Sequence, residues 1–216
     1  MSTLGTPARI PARYHHGDLR AALVQRATAV VASGGVEALS LRELARDLGV
    51  SHGAPSRHFP DRQSLLDAVA LNGFQLLRAA VSGARPGPAA PSAGAVAGPR
   101  AAFADELAAL AKAYVWFAVQ NASLLTVMFA AKDRQEAPAD LLAAAEQAFA
   151  VPLRVIEQGQ AAGEVVALPV EAIATAVLAT THGFAALVAG GLLEPDDSGD
   201  VLARTVALLV DGLRPR

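Results

Sequence analysis

The chain has no cysteine, which excludes disulfide bonds, a thiolate metal site and a cysteine nucleophile. Charged residues make up only 18% and aromatic residues only 5% of its 216 positions, whereas 53% are hydrophobic. Much of that apolar excess is alanine, which favours closely packed helices. No run of 18 uninterrupted apolar residues occurs, so no membrane span is expected. Met1–Ala12 is polar and proline-containing, with no apolar block; no signal peptide is expected, and the cytoplasm is the expected location. The sequence also lacks a phosphate-cradling glycine loop, zinc-ligand spacing and a nucleophile elbow, so no catalytic residue, metal or cofactor is expected. It shows neither strand alternation nor an internal repeat.

The charge that is present is unevenly placed. Residues 1–64 carry eight arginines against five acids, and the remainder carries ten basic against fifteen acidic groups, for a net charge of −2. His15, His16, His52 and His58 also fall in the basic part. A basic head on an acidic body points to a polyanionic partner for the head. Chance on a short segment gives the same imbalance, so charge alone does not decide.

Capping and breaking residues divide the chain into helices. Residues 1–13, with Arg9 and Arg13, read as a flexible basic arm. Asp18 is the expected N-cap of a helix carrying Leu19, Leu23, Ala27, Val30 and Val31, which Ser33-Gly34-Gly35 ends. Ser40-Leu41-Arg42-Glu43 has the form of a capping box and opens a short helix through Leu44, Ala45 and Leu48, stopped by Gly49. Ser51 is the expected cap of a third helix reaching about Phe59. Leu65, Leu66, Val69, Phe74 and Leu77 define a long fourth helix over Asp61–Ser82. Residues 83–99 are almost all Gly, Pro, Ala and Ser, the composition of a loop between two parts.

The predicted fold is therefore all-α. A helix-turn-helix domain spans 14–60, a connecting helix 61–82 and a helical body 100–216. In the body, Arg100–Gln120 carries Phe103, Leu107, Leu110, Tyr114 and Phe117 at helical spacing, and Ser123–Ala131 is apolar. Asp133–Gly163 contains a helix, and Pro169–Gly190 and Asp196–Leu213 form two more. The last two are apolar on more than one face and must bury two sides. A homodimer through 169–190 and 196–213 satisfies this, and so does one large monomeric core; the dimer is the preferred expectation.

The small Ala45, the turn residue Gly49 and Val50 beneath the turn form a helix-turn-helix pattern. His52–His58 is then the candidate recognition helix for a major groove, with His52, Ser56, Arg57 and His58 outward and Gly53 and Ala54 allowing close approach. Three stretches carry a more specific resemblance: Tyr14–Arg20, Gly35–Ala45 and Gly49–Arg62. Over about residues 13–72 the chain resembles the N-terminal domain of TetR-family regulators. The body resembles the ligand-binding domain that some of them share, at Tyr114–Phe117, Met128-Phe129 and His182-Gly183-Phe184. That domain often has a Trp-X-X-X-His-Gly pattern, and here the Trp position is Leu178.

The resemblance implies a TetR-like transcriptional repressor that binds a palindromic DNA operator as a dimer and is released by a small-molecule effector. It implies phosphate contacts from Ser40 and Arg62, and DNA contacts from Ser51, His52, Gly53, Ala54, Ser56, Arg57 and His58. Arg9 and Arg13 would reach the flanking backbone or minor groove. Ser56 stands where Tyr is common, which shortens one contact. Pro55 is read as a stiffener of the recognition helix and not as a break. Both serines also read as helix caps alone, and His15 and His16 as solvated residues of the arm. Trp116, Phe117, Met128, Phe129, Phe149, His182 and Phe184 are candidate pocket residues, and each also reads as core. The rival class is a helical ligand sensor or carrier that binds no DNA.

Overall fold

In the computed structural model, residues 16–84 and 102–215 are described. The expected arm at 1–13, His15 and most of the 83–99 loop lie outside them. The described residues form eight α-helices and two short 3-10 turns, with no strand. The helices are α1 (His16–Gly34), α2 (Leu41–Asp47), α3 (Arg62–Ser82), α4 (Ala102–Gln120), α5 (Ala122–Lys132), α6 (Ala139–Ala161), α7 (Val170–Ala189) and α8 (Pro195–Gly212). The 3-10 turns are Val36–Ala38 and Pro55–Arg57.

α1 begins at His16, so Asp18 lies in its first turn and is not its N-cap. Leu19, Leu23, Ala27 and Val31 are its buried side. At α2 the Ser40 side chain accepts the Glu43 N–H at 3.4 Å. The Glu43 carboxylate turns to Arg46, 3.5 Å away, so half of the expected capping box forms. α2 ends as the sequence requires. Gly49 takes φ +67°, its N–H bonds Arg46 O at 3.1 Å, and the Val50 N–H bonds Ala45 O at 2.9 Å. That pair of bonds is a Schellman closure, open to glycine because the conformation is left-handed. Arg26 of α1 ties α2 through Asp47 at 2.7 Å.

α3 opens on a reciprocal capping box between Asp61 and Ser64. The Ser64 backbone N–H, with its hydroxyl, holds the Asp61 carboxyl below its usual range. The helix then runs through both parts of the molecule, packing on α1 on one side and on α5 and α6 on the other. Gly73 sets the α3–α5 spacing: a Cβ there would lie 2.6 Å from Met128 Sδ. Phe74 is fully buried beside it, with Phe129 and Phe149 in edge contact at 6.3 and 6.1 Å. The Arg134–Asp67 pair at 2.6 Å ties the α5–α6 connection back to α3.

α4 packs on α7 and α8. α7 turns Ile173, Val177, Thr181 and Phe184 inward, and leaves Ala172, Ala176, Ala179, Gly183, Ala186 and Leu187 exposed. α8 buries Leu202, Val206 and Val210 but exposes 74% of Leu208. By length and composition α7 is long and apolar enough to cross a membrane, with a mean hydropathy of 1.7, and 28% of that stretch is buried here. Polar residues interrupt its apolar run, which is why the sequence criterion passed over it.

Candidate nucleic-acid interface and ligand cavity

The segment expected to be the recognition helix is not an α-helix. His52, Gly53 and Ala54 form a turn, and Pro55–Arg57 a single 3-10 turn. Pro55 stands at the first position of that turn and has no N–H to give to Ser51 O four residues back. That carbonyl instead accepts the Ala54 N–H at 2.9 Å, and the Arg57 N–H bonds Ala54 O at 3.2 Å. Pro55 therefore opens a 3-10 turn in place of the expected α-helix, and the cap residue of that turn is Ala54, not Ser51, with no side-chain cap bond. The segment is held from beneath instead. Pro55 and Phe59 are buried, and the Arg20 guanidinium lies 5.2 Å over the Phe59 ring. A cation over an aromatic face is attractive, so α1 clamps the end of the reading segment.

Above that anchor, Ser51, His52, Gly53, Ser56 and Arg57 are exposed, and Ala54 and His58 half-buried. Ser40 is half-buried at the start of α2. Arg62 is exposed at the start of α3, where one of its nitrogens donates to Val36 O at 2.7 Å. A guanidinium has five N–H donors, so donors remain for a phosphate. Sequence reasoning passed over Arg42, which is exposed two residues after Ser40 and has no ion pair among the described residues. Its signal was the position: a cation in the first turn of a helix is poorly placed unless an anion approaches.

A cavity of about 340 Å³, partly open to solvent, lies between α3, α4, α5, α6 and α7. Leu77 and Val81 of α3, Leu110 and Tyr114 of α4, and Phe129, Phe149, Pro152, Leu178 and Thr181 form much of its wall, with Lys132 and Glu171 among its charged residues. The Tyr114 hydroxyl meets His182 Nδ1 at 2.9 Å. Burial pushes the Tyr114 phenol up to about 12. The His182 ring stands edge-on to Phe129 at 5.7 Å.

Of the expected pocket residues, Phe129 and Phe149 line this cavity. Phe117, Met128 and Phe184 are buried core outside its wall. His182 lies outside the wall and touches two of its residues, Tyr114 and Phe129. Trp116 is 70% exposed, neither pocket nor core. At 100° per residue it points away from the side that Tyr114 and Phe117 share. Tyr114 was missed because it read as one of a row of core positions. Leu77 and Val81 were missed because their helix read only as a connector.

A helix-turn-helix head, joined by one continuous helix to a helical body with a cavity between its helices, defines a transcriptional regulator of the helix-turn-helix class. The comparisons agree. The chain matches the family model of bacterial regulatory proteins of the tetR family over residues 23–69, and the tetracyclin repressor-like C-terminal domain over residues 107–212. It is similar to the structure of a protein of unknown function from Rhodococcus sp. RHA1, with 37% identity over 94% of this chain and 100% of that one and a TM-score of 0.78. It is also similar to a bacterial regulatory protein in the tetR family from Rhodococcus RHA1, with 25% identity, 92% and 98% coverage and a TM-score of 0.64. The TetR-family regulator PfmR from Thermus thermophilus shares the fold at 20% identity, 90% and 96% coverage and a TM-score of 0.61. No curated protein is a significant match. The chain belongs to the TetR family, DNA-binding transcriptional regulators and not enzymes.

Proposed function

We propose that the chain is a cytoplasmic repressor that works as a homodimer, grips a palindromic operator with two copies of residues 51–62, and releases it when a small molecule occupies the cavity. The observation that carries this reading is the span of α3. It starts at Arg62, beside the reading segment, and its far end puts Leu77 and Val81 in the cavity wall. Fifteen residues of helix cover roughly 22 Å as one rod. A ligand that displaces Leu77 therefore displaces the base of the head, to the extent that it binds the displaced state better.

The dimer is supported by the outward faces of α7 and α8. Leu187, Leu192 and Leu208 are 43%, 75% and 74% exposed, beside the outward alanines of α7. Pairing these faces between two copies makes a symmetric helix bundle. It would set the two reading segments in successive major grooves, roughly 34–36 Å apart. Ser40 and Arg62 hold phosphates in this scheme, and His52, Ser56 and Arg57 face the bases or groove walls. Ala54 and Gly53 allow the approach, and Ser51 and His58 flank it.

The test is a fluorescence anisotropy titration of labelled promoter DNA from beside its own gene, at two salt concentrations. Affinity should fall with salt. Arg62→Ala should weaken binding to every sequence and reduce the salt slope by about one phosphate contact. His52→Ala should change sequence preference instead. Absence of any salt-dependent binding overturns the DNA reading and leaves the ligand sensor.

A further inference from the structure

The cavity wall is mainly apolar; the Thr175 and Thr181 hydroxyls on it donate to the Glu171 and Val177 carbonyls, and two further hydrogen-bonding features stand out. The first is the Tyr114 hydroxyl, 2.9 Å from His182 Nδ1. A phenol both donates and accepts, so one capacity is spent on the imidazole and the other remains. The second comes from Pro152, which lies inside the continuous α6 at the cavity wall, four residues after Ala148. Having no N–H, Pro152 leaves the Ala148 carbonyl without its helical donor. Lys132 and Glu171 are the charged groups of the wall; the Lys132 ammonium already bonds Asp133 at 3.0 Å, and Glu171 is exposed. An ion placed against Phe129, Phe149 and Leu110 would lose part of its hydration, while the charged groups of the wall are already paired or solvated. A volume of about 340 Å³ holds roughly eleven water-sized groups, the size of a two-ring aromatic.

Resting on the effector reading above, we propose that the cavity takes an uncharged, largely apolar molecule of two-ring size with one hydroxyl or N–H donor, recognised by Tyr114 and the Ala148 carbonyl, with His182 as the positioning residue for Tyr114. With the proton on His182 Nε2, Tyr114 donates to Nδ1 and its oxygen faces the ligand as an acceptor. The ligand donor then has two acceptors, and its ring meets the Phe129 and Phe149 side chains. Pro152, costly to a helix interior, gains a reason in this scheme: it exposes an acceptor where a ligand needs one.

The experiment is isothermal titration calorimetry of the full-length protein with four compounds on one skeleton: 2-naphthol, 2-methylnaphthalene, 2-naphthoate and 2-naphthylmethylammonium. 2-Naphthol should bind tightest. Tyr114→Phe should lower its affinity roughly tenfold, toward that of 2-methylnaphthalene, whose own affinity stays unchanged. His182→Phe should lower naphthol binding and spare methylnaphthalene, whereas a merely structural role would lower both. Either charged compound binding as tightly as naphthol overturns the proposal, as does an unchanged naphthol affinity in Tyr114→Phe. If none of the four binds, the ligand class falls while a repressor answering to some other effector stands. Ala174→Trp, from the half-buried wall of the cavity, separates the two readings. If it leaves wild-type affinities intact, the cavity is not the ligand site and the effector reading falls with the proposal. If it abolishes binding, the cavity is the site, and the ranking of the four compounds decides the class.

Discussion

At the scale of single residues, proline and tyrosine did the unexpected work. Pro55 and Pro152 each remove one N–H, and each removal lands in a proposed site: the reading segment and the cavity wall. Proline is visible in a sequence, but its consequence depends on whether the helix starts before or after it. Ser51 looked like a cap four residues ahead of Pro55, and that register places the missing bond inside the helix. Replacing Pro55 with Ala restores a donor for Ser51 O. Amide exchange at position 55 should then show protection, and far-UV circular dichroism a small gain in helix. A fully exchanging amide there means that something besides proline unwinds the segment. Tyr114 allows a sharper test, because Tyr14 is the one other tyrosine in the chain. Its phenol, 7% exposed, is pushed from 10.0 to about 12 by burial. The folded state thus holds its proton more tightly than the unfolded chain. The stabilisation this represents is complete below pH 10 and is lost as pH rises towards 12, a decline of about 3 kcal/mol. Absorbance at 295 nm should show one late-titrating phenol that disappears in Tyr114→Phe, and the stability of that variant should fall less steeply between pH 10 and 12.

At the scale of elements, the sequence was most informative where a helix start or stop has a single physical solution. Ser40 before α2 and Gly49 after it stand where the sequence placed them, and α3 opens one residue after its expected start, with Asp61 as its cap. Long helices with one buried stripe, such as α3, were legible to within a residue or two because period and caps agree. The reading segment was not, since it has neither the length nor the donors that a helix needs. The cavity was half legible: Phe129 and Phe149 were visible as aromatics, but which aromatics face a void depends on how five helices meet. Two substitutions test these elements by thermal or urea unfolding. Ser40→Ala removes the acceptor for the Glu43 N–H and should cost about 1 kcal/mol. Restoring it with Asp should recover most of the loss, since an aspartate caps equally well. Gly73→Val places a branched side chain where a Cβ already lies 2.6 Å from Met128 Sδ, and overpacking of this kind costs about 1–3 kcal/mol. Gly73→Ala should cost less, because the clashing atom is part of a flexible thioether chain. Equal costs for the two would mean that the α3–α5 spacing yields freely and does not couple cavity to head.

At the scale of the whole molecule, the unsettled energy lies on the outer faces of α7 and α8. A helix with a mean hydropathy of 1.7 and 28% burial leaves apolar surface in water at roughly 25 cal/mol per Å². In the proposed dimer a second copy covers that surface with no new sequence. The outward residues of α7 are mostly Ala and Gly, which let two helices approach closely, while Leu187 and Leu208 supply the larger apolar contacts. Charge placed there should therefore act on assembly and spare the fold. Leu187→Glu with Leu208→Glu leaves every buried side chain of the core in place, so its circular dichroism should match the wild type. Light scattering at micromolar concentration should give twice 22.1 kDa for the wild type and 22.1 kDa for the double variant. DNA affinity should fall with the loss of the second head, because two half-sites bound by one rigid dimer gain an effective concentration that two free monomers lack. A variant that remains dimeric would place the interface elsewhere. A monomeric double variant that holds the full operator as tightly as the wild type would sever the link between these faces and DNA recognition.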